Sequence, residues 1–325
     1  MSPRRPLGRK LIKAVLPVAL LLILGVLGVV VWIVNGASHP PRRPYLVTPE
    51  QFRHLSDRGL KATDERWLNR DGTEARGWLL RGAHGGPAVV LLHRFGADRS
   101  WLFNLGVKLS ETTNFTVLWP DLRAHGENPS IAATSFGARE AEDAAAALDF
   151  VRTLKTPQGE TLVNSQVGFY GVEMGAYAAL IAARGDSRVR ALALDSVPAS
   201  PNDVLDAAVK AHTGIDSGLL QLLARGGMRI YSLGNYETTP ACEAASSLNN
   251  RHVLLLSGEE AERLRDSTVA LAKCFPPQAG IQAGIEVYTD LPLTGVNLSS
   301  ATGAQGEFYD RRVIDFFNRA LSPTP

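Results

Sequence analysis

Several features that would indicate a specialised class of protein are missing from this sequence. It has only two cysteines, and no internal repeat or low-complexity tract interrupts its 325 residues. With 45% hydrophobic and 20% charged residues, the composition is globular, and the length suffices for one large domain. The net charge is only +2, and five cations without an acid in residues 1–13 leave −3 for the remainder. The globular part thus lacks the basic surface of nucleic-acid-binding proteins, and no nucleic-acid partner is expected.

An uncharged apolar run of 21 residues, 14–34, follows the basic tail. A helix of this length spans about 30 Å, the thickness of the hydrocarbon core of a bilayer. Pro17 lies close to the start of the run, where a first helical turn tolerates proline. A cleaved signal peptide is the alternative, but its apolar region is usually about 7–15 residues long. We therefore predict a transmembrane helix that acts as a signal-anchor.

The charges on either side of this run predict its orientation. Five cations precede it, and Arg42 and Arg43 follow it. The positive-inside rule then predicts a single-pass membrane protein with a cytoplasmic N-terminus and an extracytoplasmic globular domain. The predicted organisation is a basic tail at 1–13, the membrane helix at 14–34, a linker and lead-in at 35–59, and a globular domain at 60–325.

The two cysteines, Cys242 and Cys274, both lie in the globular part. In an exported domain they would be able to pair, closing a loop of about 32 residues worth about 3 kcal/mol in the chain-entropy model. Two buried thiols are the alternative. The sequence leaves both open, because it does not give the distance between the two residues.

Strand-like apolar runs alternate with helix-like segments from residue 60 onward. Two antiparallel strands are predicted at 60–68 and 75–80, and later strands at 88–93, 115–119, 167–170, 189–194, 253–256 and 285–288. Helices are predicted at 99–109, 139–154, 174–184, 260–273 and 307–321, the last with an apolar face of Phe308, Val313, Phe316, Phe317 and Leu321. This alternation is typical of an α/β protein with a mostly parallel, doubly wound sheet. Residues 200–250 are helical and irregular instead.

Three short motifs follow the ends of predicted strands: LLHRFG at 91–96, DLRAHG at 121–126 and GVEMG at 171–175. In order and spacing they resemble the oxyanion loop, the Asp-x-Arg-Gly-His-Gly turn and the nucleophile elbow of the α/β-hydrolase superfamily, which includes esterases and lipases. The resemblance covers the chain from about residue 60 to its end. It implies an α/β-hydrolase fold with a helical cap near 200–250. It also implies a pocket and oxyanion loop formed by His93, Arg94, Phe95, Met174, Asp121 and His125.

The catalytic positions of that superfamily are altered here. The elbow residue, normally serine, is Glu173, and the acid expected after the strand at 253–256 has only Glu260 as a substitute, one residue early. No histidine follows His252, although the resemblance places the catalytic imidazole after the last strand. Triad hydrolysis needs that imidazole to move a proton, so the sequence predicts that no triad is intact. Asp195, at another strand end, lacks a histidine to orient.

Three roles remain open for the residues at the elbow. Glu173 would be a carboxylate nucleophile only if some base activated the water that hydrolyses its ester. Alternatively Arg94, which replaces the glycine of the oxyanion loop, pairs with Glu173, or both side chains face solvent. His93 and His125, with Glu173 and Asp121, offer metal-ligand types, but their spacing defines no site and the resemblance gives them structural roles. No metal or cofactor is expected.

We therefore expect a membrane-anchored pseudoenzyme that binds a small ligand or a protein partner. An active hydrolase that uses Glu173 in a non-triad mechanism is the first alternative. A structural subunit of an envelope complex is the second. The fold alone does not choose among them.

Overall fold

The computed structural model describes residues 7–52, 59, 61–127, 131–233, 236, 239–258, 261, 263–277, 284–297 and 303–322. The chain divides into two compact units. The anchor unit consists of Met1–Ser38 with Leu205–Asn235, and the sheet unit consists of His39–Val204 with Tyr236–Pro325. Part of the segment expected to form a cap therefore groups with the N-terminal helix.

The sheet unit is built on one eight-stranded sheet with the order β1-β2-β4-β3-β5-β6-β7-β8. The first two strands are antiparallel neighbours, β2 is also antiparallel to β4, and the other pairs are parallel, as the sequence pattern predicts. The strands are β1 Thr63–Leu68, β2 Glu74–Leu80, β3 Gly86–Leu92, β4 Thr116–Pro120, β5 Val163–Val172, β6 Val189–Asp195, β7 His252–Gly258 and β8 Ile285–Leu291.

Helices connect these strands, as expected for a doubly wound sheet. After a 3₁₀ turn at Arg99–Leu102 they are α3 Phe103–Thr113, α4 Glu140–Thr153, α5 Met174–Arg184, α6 Pro201–Thr213, α7 Gly218–Tyr231, α8 Ala241–Ser246, α9 Arg263–Ala272 and α10 Ala304–Leu321. The predicted strands and helices are present, α5 with the predicted ends and most others with shifted ones, while the predicted starts at 60 and 260 lie outside the described residues. Strand β5 begins four residues before the predicted start, because a polar lead-in, Asn164–Gln166, continues the strand.

Both faces of the parallel strands are buried. Val89 and Leu91 of β3 belong to a core shared with α3 and α10, and Val90 and Leu92 alternate onto the opposite face. Phe308 was expected in this core but is 53% exposed. The guanidinium of Arg312 lies over its ring at 4.7 Å, so Phe308 makes a cation–π contact at the surface instead.

The two cysteines form a disulfide, with their Cα atoms 5.2 Å apart. Cys242 lies in α8, and Cys274 lies two residues after the end of α9. Of the two alternatives that the sequence left open, the structure therefore contains the paired one. The bond closes a loop across β7, the strand between the two helices.

The N-terminal helix α1 runs from Leu7 to Ser38 and is longer than the predicted span. At about 1.5 Å per residue its 32 residues extend for about 48 Å. Pro17 is therefore an interior residue rather than a first-turn residue, and the first four residues of the predicted linker are helical. Residues Val15–Ser38 are long and apolar enough to cross a membrane, which is compatible with a single-pass anchor or a signal sequence. A short helix, α2, follows at Pro49–Phe52.

Candidate functional site

The elbow is a sharp turn between β5 and α5, with Glu173 at its centre. Glu173 has φ 50° and ψ −112°, a conformation that L-residues rarely adopt. The flanking glycines permit the turn: a Cβ on Gly171 would lie 2.4 Å from the Gly175 carbonyl oxygen, and one on Gly175 would lie 2.4 Å from that of Leu92. The strained turn of a nucleophile elbow is thus present, although its central residue is glutamate.

The Glu173 carboxylate is held by backbone amides. Its Oε2 accepts a hydrogen bond from the Phe95 N–H at 3.0 Å, and the Met174 N–H also acts on it. Burial raises the pKa of Glu173, while the Arg94 charge and these two N–H groups lower it. These amides belong to the oxyanion loop and to the first residue after the elbow. They are the two donors that this fold uses to stabilise an oxyanion. The side chain of Glu173 therefore accepts from the two amides at the positions that the resemblance assigns to the oxyanion hole.

Arg94 does not form the expected ion pair with Glu173: the structure has no nitrogen–oxygen contact within 4 Å between these two described residues. Its guanidinium lies over the Trp101 ring at 4.6 Å, and its Nη1 donates to the Phe95 carbonyl oxygen at 3.2 Å. The stacking and this carbonyl bond fix the guanidinium beside the carboxylate, where its charge acts without contact. Of the alternatives that the sequence leaves open, the direct ion pair is therefore wrong, although the two charges attract each other.

Two buried histidines brace the loops around the elbow. Nδ1 of His93 donates to the Arg94 carbonyl oxygen at 2.8 Å, and its Nε2 accepts from the Leu122 N–H at 3.1 Å. In the same way His125 Nδ1 donates to the Arg123 carbonyl oxygen and Nε2 accepts from the Gly96 N–H.

Burial and these hydrogen bonds determine whether the two histidine rings can accept a proton. Burial lowers the pKa of each histidine to about 4, which keeps both neutral at pH 7. Because both nitrogens of each ring are used by backbone, neither His93 nor His125 is placed to act as a general base for Glu173. Within the described residues there is also no group of three His, Cys, Asp or Glu side chains that would hold a metal ion.

Asp121 is buried and has a structural environment. Its carboxylate accepts from the Tyr45 hydroxyl at 2.6 Å, from the Arg99 N–H at 3.0 Å and from the Glu127 N–H at 3.1 Å. Burial raises the pKa of this carboxyl, and the Arg99 charge and the hydrogen bonds lower it. A Cβ on Gly126 would lie 2.3 Å from the carboxylate, so the turn closes directly over Asp121. We assign Asp121 to the support of this turn.

The loop after the last strand, where the superfamily has its histidine, contacts Asp195 through backbone. The Gly295 N–H donates to Asp195 Oδ2 at 2.6 Å, the Ser196 hydroxyl donates to Oδ1 at 2.7 Å, and the Tyr309 hydroxyl also donates to Oδ2. Burial raises the pKa of Asp195 to about 6. The donors to this carboxylate among the described residues are thus one backbone amide and two hydroxyls, and none of them is an imidazole. Glu260, the other candidate acid, lies outside the described residues.

Sequence reasoning missed the tyrosine part of this network. The Tyr309 hydroxyl also lies 2.8 Å from the Tyr170 hydroxyl, and both rings are buried. The two tyrosines are 139 positions apart in the chain, so spacing carries no signal of their contact. The position of Asp195 at a strand end was the one available signal.

Comparison with known proteins identifies the fold to which this site belongs. No protein-family model matches the chain. Thiohydrolase aneE of Aspergillus aculeatus is 28% identical to this chain over 129 residues. The match covers 39% of this chain and 39% of the length of that relative.

Solved structures are similar over much more of the chain. Esterase Pf2001 of Pyrococcus furiosus has a TM-score of 0.60 at 18% identity, covering 88% of this chain and 98% of that one. An esterase of Pyrobaculum calidifontis has a TM-score of 0.54 at 16% identity, covering 99% and 100%. EstE1, a carboxylesterase from a metagenomic library, has a TM-score of 0.56 at 16% identity, covering 85% and 99%. At these identities the similarity establishes architecture rather than activity. The chain therefore has the α/β-hydrolase fold, with glutamate at the nucleophile elbow.

Proposed function

We propose that this chain is a membrane-anchored protein of the α/β-hydrolase fold that binds a small ligand or a protein partner and does not hydrolyse esters by a triad. The observation that carries the proposal is the Glu173 carboxylate in the oxyanion hole, with its Oε2 3.0 Å from the Phe95 nitrogen. An oxyanion needs those N–H groups at the moment when its negative charge develops. Here the Glu173 side chain already accepts from them, so they are not available to a developing oxyanion.

The energetic consequence is large. Losing one oxyanion-hole donor costs a serine hydrolase about 2.7–4 kcal/mol of transition-state stabilisation. In this chain both donors face Glu173, and neither His93 nor His125 has a ring nitrogen left to accept a proton. The two deficits reinforce one another, because a triad needs both the hole and the imidazole.

Membrane attachment is the second part of the proposal. The apolar length of α1 and the five cations in residues 1–13, ahead of its apolar run, support a single-pass anchor with the N-terminus in the cytoplasm and the sheet unit outside. A disulfide suits the oxidising compartment that this topology implies. The division proposed is a tail at 1–13, a membrane helix at 14–34, a linker and lead-in at 35–59, and a hydrolase-like domain at 60–325 with its cap at about 200–250.

Hydrolysis through Glu173 is the second candidate. Two observations favour it: the strained elbow is retained at φ 50°, and the similar proteins are named as esterases or a thiohydrolase. A Glu173 ester would form when the carboxylate attacks the carbon of an alkyl halide and the carbon–halogen bond breaks with release of halide, and its hydrolysis would then need water activated by some base. A structural subunit without a ligand remains a third candidate.

One experiment separates these functions. Purified full-length protein is assayed for turnover of short acyl esters, thioesters and alkyl halides, with Glu173→Ala as the matched variant. We expect no turnover above the Glu173→Ala level. Turnover that disappears in Glu173→Ala would show that Glu173 is a nucleophile and would overturn the non-catalytic proposal. Binding is then tested by thermal-shift screening of the wild-type protein and the variant with small molecules.

A further inference from the structure

Helix α7 in the anchor unit exposes an apolar face. Leu219 and Leu222 are each 65% exposed, Ile230 is 76% exposed, and Leu233, just beyond the helix end, is 88% exposed. Leu219, Leu222, Gly226 and Ile230 recur at intervals of three and four, which places them along one side of the helix, and Leu233 follows the helix end. We call these five residues the α7 stripe. Large apolar side chains in such a row are unusual on a surface that faces water.

The opposite face of α7 packs on the N-terminal helix. Ala224, Gly227 and Met228 are buried there. A Cβ on Gly227 would come within 2.5 Å of Val30 Cγ1 and 2.8 Å of Val34 Cγ2, so only glycine allows this approach. Small residues at such a crossing are typical of helices that associate in membranes. Because one face is bound to α1, the α7 stripe faces away from α1.

The position of the crossing along α1 gives the depth of α7. The apolar run 14–34 has its centre at residue 24, so Val30 and Val34 lie about 9 and 15 Å from the midplane of a span normal to the bilayer. The hydrocarbon boundary lies about 15 Å from the midplane. The crossing therefore falls within the outermost layer of acyl chains. Interfacial helices bury their apolar face about 5–10 Å into this region.

An aromatic residue of α1 lies at the same level, and α7 carries another at its end. Trp32 is half exposed near the end of the apolar run, and its ring centroid lies 4.7 Å from that of His212. Tyr231 is the last residue of α7 and is also exposed. Such aromatics are enriched at the membrane–water interface. Of the two arginines of α7, Arg225 pairs with Asp206 of α6, which leaves the exposed Arg229 as the cation that suits an anionic lipid headgroup.

We propose that α7 lies in the outer interface of the membrane, with the α7 stripe among the acyl chains. The occupant of this surface is the lipid bilayer itself, because the stripe belongs to a helix packed on the membrane-crossing helix at the depth of the interface. The anchor unit would then contact the membrane through two helices: α1, which spans it, and α7, which lies in its outer interface. This inference rests on the proposed membrane anchor.

The test uses full-length protein in liposomes with single-cysteine variants that carry an environment-sensitive fluorophore. Leu222→Cys reports on the α7 stripe, Leu22→Cys on the span, and Leu68→Cys, on β1 of the sheet unit and 71% exposed, is the matched control. Quenching by nitroxide-labelled lipids is compared with quenching by aqueous iodide. We expect several-fold stronger lipid quenching at Leu222→Cys and Leu22→Cys than at Leu68→Cys, and the reverse order for iodide.

Any other quenching pattern refutes either the interfacial position of α7 or the membrane anchor itself. Lipid quenching at Leu22→Cys with iodide quenching at Leu222→Cys would overturn the interfacial helix and leave the anchor intact. Iodide quenching at both would overturn the anchor as well. A label at Leu222→Cys that neither quencher reaches would mean that protein covers the stripe, which also refutes the inference. Ile230→Cys serves as a second stripe position, and an intact native disulfide with an unchanged melting profile serves as the check of folding.

Discussion

Replacing Glu173 by glycine is expected to give a more stable protein than replacing it by alanine. Both substitutions remove the same carboxylate and the same hydrogen bonds, so their difference isolates the backbone. At φ 50° and ψ −112° an L side chain costs about 1–3 kcal/mol, whereas glycine adopts positive φ freely. Glycine also gains freedom in the unfolded chain, which costs about 0.4–1 kcal/mol. The glycine variant should therefore be more stable by about 0.5–2 kcal/mol.

The measurement is urea unfolding of the purified full-length protein in detergent, followed by tryptophan fluorescence. Arg311, an exposed residue inside α10, provides the matched control, because its helical backbone favours the opposite order. There alanine should be more stable than glycine by about 1 kcal/mol. If alanine is more stable than glycine at residue 173, as it is expected to be at residue 311, then the elbow backbone at Glu173 is not strained.

Three further predictions concern charge and covalent structure. In Arg94→Gln the pKa of Glu173 should rise further, because a nearby positive charge is lost; an unchanged carboxyl titration in the infrared spectrum would contradict the electrostatic role of Arg94. Replacing Cys242 and Cys274 together by serine should lower the free energy of unfolding by about 3–4 kcal/mol for a loop of this length, and a loss under about 1 kcal/mol would rule out the chain-entropy account. For Asp195 the folded pKa of about 6 exceeds its unfolded value, so the folded state binds the extra proton. Relative to Asp195→Asn, the wild-type protein should lose up to about 3 kcal/mol of stability as the pH rises from about 4 to 6, and parallel pH profiles of the two proteins would disprove this.

The sheet and the elbow were predictable because their signals are local. A parallel strand covered on both faces reads as a continuous apolar run, and 88–92 is one. The elbow adds two glycines at a fixed spacing. Glycine is required at residue 175, for example, because a Cβ there would clash with the carbonyl oxygen of Leu92. Strand ends shifted by a few residues, because polar residues such as Asn164 can continue a ladder at its edge.

The side-chain contacts at the site were less predictable. The opposite charges of Arg94 and Glu173 favour an ion pair in the sequence. In the structure the guanidinium stacks on the Trp101 ring instead, and the Phe95 N–H donates to the carboxylate. Both contacts depend on how the loops fold over one another, which no spacing reveals. The disulfide was left open for the same reason, since the separation of two cysteines is a property of the packed structure.

The carboxylate in the oxyanion hole also has the role of a competitor. Glu173 is tethered beside the N–H of Phe95, so any external carboxylate, phosphonate or boronate that seeks these amides must displace it first. A tethered group has an effective concentration of millimolar or more, even when its link is flexible. The chain thus carries its own inhibitor of oxyanion-type ligands. Molecules that bind beside the elbow of this protein are selected for features other than negative charge.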